Sequence, residues 1–196
     1  MIGRLSGTLL AKQPPLLLVD VHGVGYEVEA PMSTFFKLPA VGEALTLHIH
    51  QVVREDAQLL FGFATLAEKS LFRELIKVSG VGPKVALAVL SGISVEDFWS
   101  TVATAEVGRL TKLPGIGKKT AERLVVEMKD KAGGKPGEGI AATVPGAPAS
   151  PLLEARSALA ALGYKPAEVQ RLTEAVYKEG MSTETLIQEA LKRALR

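Results

Sequence analysis

The spacing of apolar side chains changes character near residue 64. Before that point, short runs rich in β-formers, LLLVDV, YEVEA, LTLHIHQVV and QLLFGF, are separated by Pro, Gly or charged breaks, the pattern of successive strands. In the third run Leu45, Leu47 and Ile49 alternate with Thr46, His48 and His50, which predicts one apolar and one wet face. Five or so short strands in residues 1–64 suit a small closed or nearly closed barrel, which leaves no long sheet edge exposed. An oligonucleotide-binding (OB) barrel and an SH3-like barrel both fit. From Thr65 the period lengthens to that of helices. Thr65 and Glu68 form a capping box ahead of LAEKSLFRELIKV, and this segment stops at Ser79-Gly80. Pro83 takes a first helical position before KVALAVL. Ser94, with Asp97 three residues on, starts another helix and Thr104 a third. The turn Pro114-Gly115-Ile116-Gly117 precedes a last helix over roughly 118–130.

Residues 132–150, AGGKPGEGIAATVPGAPAS, hold 5 Gly and 3 Pro with no apolar period. They read as a flexible linker with a reach of roughly 25 Å. Beyond it, LLEARSALAAL closed by Gly163, PAEVQRLTEAVYKE closed by Gly180, and TETLIQEALKRAL predict a compact three-helix module. Most of Leu159, Leu162, Val169, Leu172, Val176, Leu186, Ile187 and Leu191 form its core. The expected class is α+β and multidomain: a barrel at 1–64, a helical domain at 65–131, a linker at 132–150 and a three-helix, UBA-like module at 151–196.

Composition narrows the chemistry. The chain has no cysteine, so disulfides and thiolate metal sites are excluded. No apolar run has the length needed to span a bilayer, and MIGRLSGTLLAKQPP lacks the features of a signal peptide; a cytoplasmic protein is expected. Net charge is only +2 over the chain but uneven, at −2 for residues 1–66 and +3 for 67–131. From Gly108 to Ala121 stand Arg109, Lys112, Lys118 and Lys119 with no acid among them. The positive field is confined to one stretch.

That stretch coincides with the second copy of a repeat. VSGVGPKVALAV and LPGIGKKTAERL align Gly80 with Gly115, Val81 with Ile116, Gly82 with Gly117, Lys84 with Lys119 and Ala86 with Ala121. A tight turn between helices needs positive φ or close backbone approach, and glycine provides both. The apolar residue between the glycines can anchor the turn inward. The first amides of the following helix then lack intrahelical partners and face outward, where the helix dipole favours an anion. Lysines one or two residues later add charge to the same anion. Two such sites on one rigid unit hold two phosphates at a fixed separation and need read no base. Gly80, Gly82, Gly115 and Gly117 are therefore the candidate amide donors, supported by Lys84, Lys118, Lys119 and Arg123. GIGKKT lacks the distant glycine and the Ser/Thr after Gly-Lys of a nucleotide-binding loop.

Other chemistry is thinner. His48 and His50, with His22, have the types but not the context of a metal site, and polar exposure on a strand explains their spacing. No nucleophile–base–acid set is present, and no cofactor or metal is expected. LPGIGKKTA also resembles the hairpin of helix-hairpin-helix DNA glycosylases, whose lysine nucleophile matches Lys119. The aspartate such enzymes need would fall in the linker, which offers only Glu138. A protein-interaction scaffold using the hairpins as packing devices is the remaining alternative. Glu55-Asp56, between HQVV and QLLFGF, reads alone as a solvated turn. In a DNA binder it would repel a phosphate about 4 Å away by roughly 1 kcal/mol in water and 4 at an effective dielectric of 20. Such a tip penalises continuous duplex more than a crossover where strands diverge.

VSGVGPKVALAVLSG and KLPGIGKKTAERLVVEMKDK resemble the tandem helix-hairpin-helix motifs of the RuvA family of bacterial Holliday-junction-binding proteins. MIGRLSG, VHGVGYEV and LGYKP are similar to that family as well, so the likeness covers everything but the linker. The resemblance implies an OB-type barrel, and a non-catalytic subunit that holds four-way junctions open for branch migration in recombination, repair and the SOS response. It implies that Glu55 and Asp56 are an acidic pin at the junction centre of a homotetramer, or of two tetramers face to face. It further implies that the C-terminal module recruits the ATP-driven motor RuvB, for which Leu162, Tyr164 and Leu191 are candidates by position, and that a junction-cleaving nuclease is a further partner.

Overall fold

The computed structural model describes residues 1–132, 150–178 and 180–194. Most of the expected linker, with Glu138, lies outside the described residues, as do Glu179 and the last two residues of the chain. The chain divides into two compact units, Met1–Gly137 and Glu138–Arg196.

In the first unit, β1 (Arg4–Gln13), β2 (Leu16–Val21), β3 (Val24–Glu29), β4 (Ala44–Val53) and β5 (Gln58–Phe63) close a barrel in the order β1-β2-β3-β5-β4. All neighbours are antiparallel except β3 and β5. This is the closed five-stranded arrangement of an OB-type barrel. Leu9, Leu17, Val19, Val28, Leu47 and Ile49 fill it. The hydrophobic pattern does not single out β1, because RLSGTLLAKQ mixes polar residues with a glycine. Gly7 is required by close approach: a Cβ there would run into the Asp20 carbonyl of β2. A single turn, α1 (Met32–Phe35), also escapes the pattern. β5 is buried on both sides, since Phe61 and Phe63 belong to the core of the helices while Leu60 packs on the barrel core. Its nearly unbroken apolar run, QLLFGF, follows from that.

The helices that share this core are α2 (Leu66–Leu75), α3 (Pro83–Gly92), α4 (Val95–Ala103), α5 (Val107–Leu110) and α6 (Lys118–Ala132). Both bonds of the capping box form at 3.1 Å, Glu68 N–H to Thr65 Oγ1 and Thr65 N–H to Glu68 carboxylate. Glu68 is only 4% exposed, and its charge is answered by Lys37 at 3.5 Å. Phe72 of α2 lies against Phe61, Phe63 and the His50 ring, with centroids 5.1, 5.0 and 5.6 Å away. This corrects the expected wet face of β4: α2 covers it, leaving His48 and His50 half-buried. A second correction concerns Thr104, which ends α4 rather than starting a helix. Its hydroxyl donates back to Ser100 O at 2.9 Å and to Glu106 Oε1 at 2.8 Å, competing with helix continuation. The chain then turns at Ala105, with φ 56°.

The second unit holds α7 (Pro151–Ala161), α8 (Pro166–Val176) and α9 (Thr183–Ala194) around Leu159, Val169, Leu172 and Ala190. α8 is shorter than PAEVQRLTEAVYKE implies, because Tyr177 is already extended (ψ 131°). Leu186 is buried; Ile187, Val176 and Leu191 are half-buried. Leu162 is 63% exposed and so no part of the core. It caps α7, just before Gly163 reverses the chain at φ 97°. Among the described residues no single helix is long and apolar enough to cross a membrane.

Candidate nucleic-acid interface

The two glycine turns adopt the same local structure. Gly80 and Gly115 have φ of 87° and 79°, values that L side chains rarely accept. Val81 and Ile116 point inward, 4% and 5% exposed. Their amides close the turns on Val78 O at 3.0 Å and Leu113 O at 3.2 Å. The Gly82 and Gly117 carbonyls then accept from Ala86 and Ala121, at 3.0 and 2.9 Å, as the next helix begins.

What remains outward is the amide array. Among the described residues no acceptor engages the amides of Gly82 or Gly117, and those of the first helical turns are unpaired by geometry. A Cβ built on Gly82 or Gly117 meets nothing within 4 Å, and neither residue has a positive φ. The fold therefore does not need glycine at these two positions. The hairpins differ in one respect. Pro83 removes a donor from the first, whereas Lys118 keeps it in the second.

Lys84, Lys118 and Lys119 are exposed, and among the described residues their side chains have no ion pair or hydrogen bond. Gly117 and Lys118 line an open groove with Val107, Gly108, Thr111 and Glu122. Arg109 is less free than its acid-free sequence neighbourhood implies, because α4 brings Asp97 to 3.4 Å from it. Arg123 is also engaged. Its guanidinium donates to Ser79 O at 3.0 Å and lies 4.0 Å from Glu127. It thus ties the helix of the second hairpin to the turn of the first. Val85 of α3 reinforces the join, lying 3.5 Å from where a Gly115 Cβ would stand. Neither the Ser79 carbonyl nor Val85 carries a sequence signal for this role, since only packing brings the repeats side by side.

Glu55 and Asp56 occupy the exposed tip of the β4–β5 hairpin, which Arg54 N–H closes on Ala57 O at 2.8 Å. Among the described residues neither carboxylate has a cation partner. His22 sits far from the other histidines in sequence, in the β2–β3 turn with φ 53°, and no three His, Cys, Asp or Glu side chains gather among the described residues. In the second unit the three candidates differ: Leu162 stands clear, while Tyr164 and Leu191 pack on the core. Leu153 and Tyr177 are further exposed apolar side chains that the pattern does not flag.

An OB-type barrel sharing a core with two in-register glycine hairpins defines a tandem helix-hairpin-helix DNA-binding protein. The RuvA N terminal domain family matches residues 1–62, the SAM-like Helix-hairpin-helix tandem family residues 72–130, and the RuvA, C-terminal domain family residues 150–195. The chain is 53% identical over 203 residues to the Holliday junction branch migration complex subunit RuvA of Escherichia coli O1:K1 / APEC, with 100% of both chains covered. Proteins of the same description from Escherichia coli O9:H4 (strain HS) and Shigella boydii serotype 18 are 54% and 53% identical, again with 100% of both chains covered. The chain belongs to the RuvA family.

Proposed function

We propose that this chain is the non-catalytic subunit that recognises four-way DNA junctions and holds them open for branch migration during recombination and repair. The observation that carries this reading is the pair of matching turns whose second glycines, Gly82 and Gly117, are open to solvent with unclaimed amides. The amides of Gly80, Gly82, Gly115 and Gly117 take phosphates of a duplex arm, Lys84, Lys118 and Lys119 add charge, and Arg123 holds the two grips at their spacing. Glu55 and Asp56 repel backbone at the crossover and so disfavour uninterrupted duplex.

The division into a barrel (1–64), hairpin domain (65–131), linker (132–150) and C-terminal module (151–196) serves this task. Four copies place four pairs of grips around one junction, and weak binding by each copy combines at high effective concentration. The C-terminal module recruits a separate RuvB-type ATPase, with Leu162 the most accessible of its candidates, and the complex works in the cytoplasm.

Replacing Lys118 and Lys119 with Ala tests the grip. Lys118 and Lys119 serve the same phosphate, and leaving it without them makes the slope of log K against log salt shallower by about 0.9 per engaged subunit, on junction and duplex alike. An unchanged slope in a gel-shift or anisotropy titration overturns the assignment.

A further inference from the structure

The barrel and the helix over it carry a cluster of basic side chains, three of them cations and two of them histidines, that the hairpin grips do not use. β1 sets Arg4 opposite His48 of β4, and His50 follows on the same outer face by strand alternation. α2 lies over this wall through the tilted contact of the Phe72 and His50 rings. It adds Lys69, whose ammonium donates to Gly3 O at 3.1 Å, and Arg73 one helical turn later. Among the described residues none of the five has an acidic partner.

The group is set against itself. His48 and His50 are held below the ordinary histidine range by burial first, then by Lys69 and Arg4 for His48 and by Arg73 and Lys69 for His50. Lys69 is likewise lowered by burial and then by Arg73. Gathering Arg4, Lys69 and Arg73 around two half-buried histidines with no acid among them is destabilising. The Lys69–Gly3 bond and the His50–Phe72 ring contact account for two of the five in structural terms. They leave Arg4, His48 and Arg73 unexplained.

We infer that Arg4, His48, His50, Lys69 and Arg73 form a second phosphate-binding surface on the barrel wall, which receives the DNA strand turned aside at the acidic tip. This rests on the junction reading above. β4 runs from His48 and His50 into Glu55-Asp56. At about 3.4 Å per residue, His50 lies roughly 15 Å before the tip, about four nucleotides of B-form strand. A strand repelled at the tip therefore has its next phosphates over the cationic wall, and the two features act as a pair.

The test compares the full-length chain with Arg4→Gln/Arg73→Gln, two exposed side chains without hydrogen bonds in the fold. Four-way junction and a linear duplex of about 20 base pairs are titrated over a salt series. Junction affinity is expected to fall about tenfold or more, with the salt slope shallower by about 1.8 per engaged subunit, and duplex affinity to stay within about twofold. Arg4→Lys/Arg73→Lys should restore most of the affinity, and thermal melting checks that both variants fold. Unchanged junction binding overturns the inference, as does an equal weakening on duplex, which would make the wall part of a general field. A drop in the mass of the DNA-free protein by sedimentation would assign the wall to the interface between copies and also overturn it. The unmodified chain separates the two levels: if it shows no preference for the junction, the functional reading fails, whatever the variants do.

Discussion

Changing Gly117 to Ala asks whether the second glycine of the hairpin serves the fold or the ligand. Its added methyl meets no atom within 4 Å, and no positive φ forbids it. Alanine at a backbone-compatible site gains about 0.4–1 kcal/mol by restricting the unfolded chain. It forfeits a comparable amount as a poor residue immediately before a helix. The net change in stability should stay below about 1 kcal/mol, a shift in Tm of no more than about 4 °C. Binding should respond very differently, because the methyl fills the open space beside the unclaimed Gly117 amide. Removing one charge-assisted amide–phosphate bond costs about 1.5–3 kcal/mol, or roughly 10- to 150-fold in affinity per site. Gly115→Ala is the contrasting control: with φ 79° and Val85 at 3.5 Å, it should cost about 1–2 kcal/mol of stability through backbone strain. Melting curves and anisotropy titrations with duplex DNA on the two variants decide the matter. If Gly117→Ala melts as early as Gly115→Ala while binding DNA normally, the open glycine is architectural and the grip is misassigned.

Four other outcomes follow from the geometry. Glu55→Gln/Asp56→Asn, at an exposed tip without partners, should leave melting unchanged and raise duplex affinity severalfold; an unaltered junction-to-duplex ratio in competition gel shifts would remove the pin. In the C-terminal module, Leu159→Ala should cost about 2–5 kcal/mol because Leu159 is fully buried. Leu162→Asp should leave the melt intact while weakening pull-down of a RuvB-type ATPase. His48 and His50 are held below their ordinary pKa, so the folded state resists a proton that the unfolded chain accepts. Their contribution to stability is thus present above about pH 6.5 and lost as pH falls below it. Tm should drop between about pH 7.5 and about 5.5, and His50→Gln should shrink that drop; a pH-independent difference between the two proteins would contradict it.

The features legible in the sequence are those whose physical cause lies within four or five residues. Gly80 and Gly115 are needed for left-handed turns, Val81 and Ile116 for inward anchors, Pro83 for a helix start, and Thr65 with Glu68 for a reciprocal cap. Each is fixed by backbone dihedrals and local hydrogen bonding, so residue type and spacing announce it. Thr104 shows the limit of such reading, since the same hydroxyl that starts helices can end one by bonding backwards.

Packing between distant segments decided the rest. Arg123 meets Ser79 across 44 residues, Asp97 takes up the charge of Arg109, and Phe72 covers a face of β4 that alternation alone would leave wet. Arg4 joins Lys69 and Arg73 only because β1 closes the barrel beneath α2. Leu162 reads as core by periodicity, yet the reversal at Gly163 leaves it in solvent. Periodicity records which side of an element is apolar, and the tertiary structure alone determines what that side, or its opposite, finally meets.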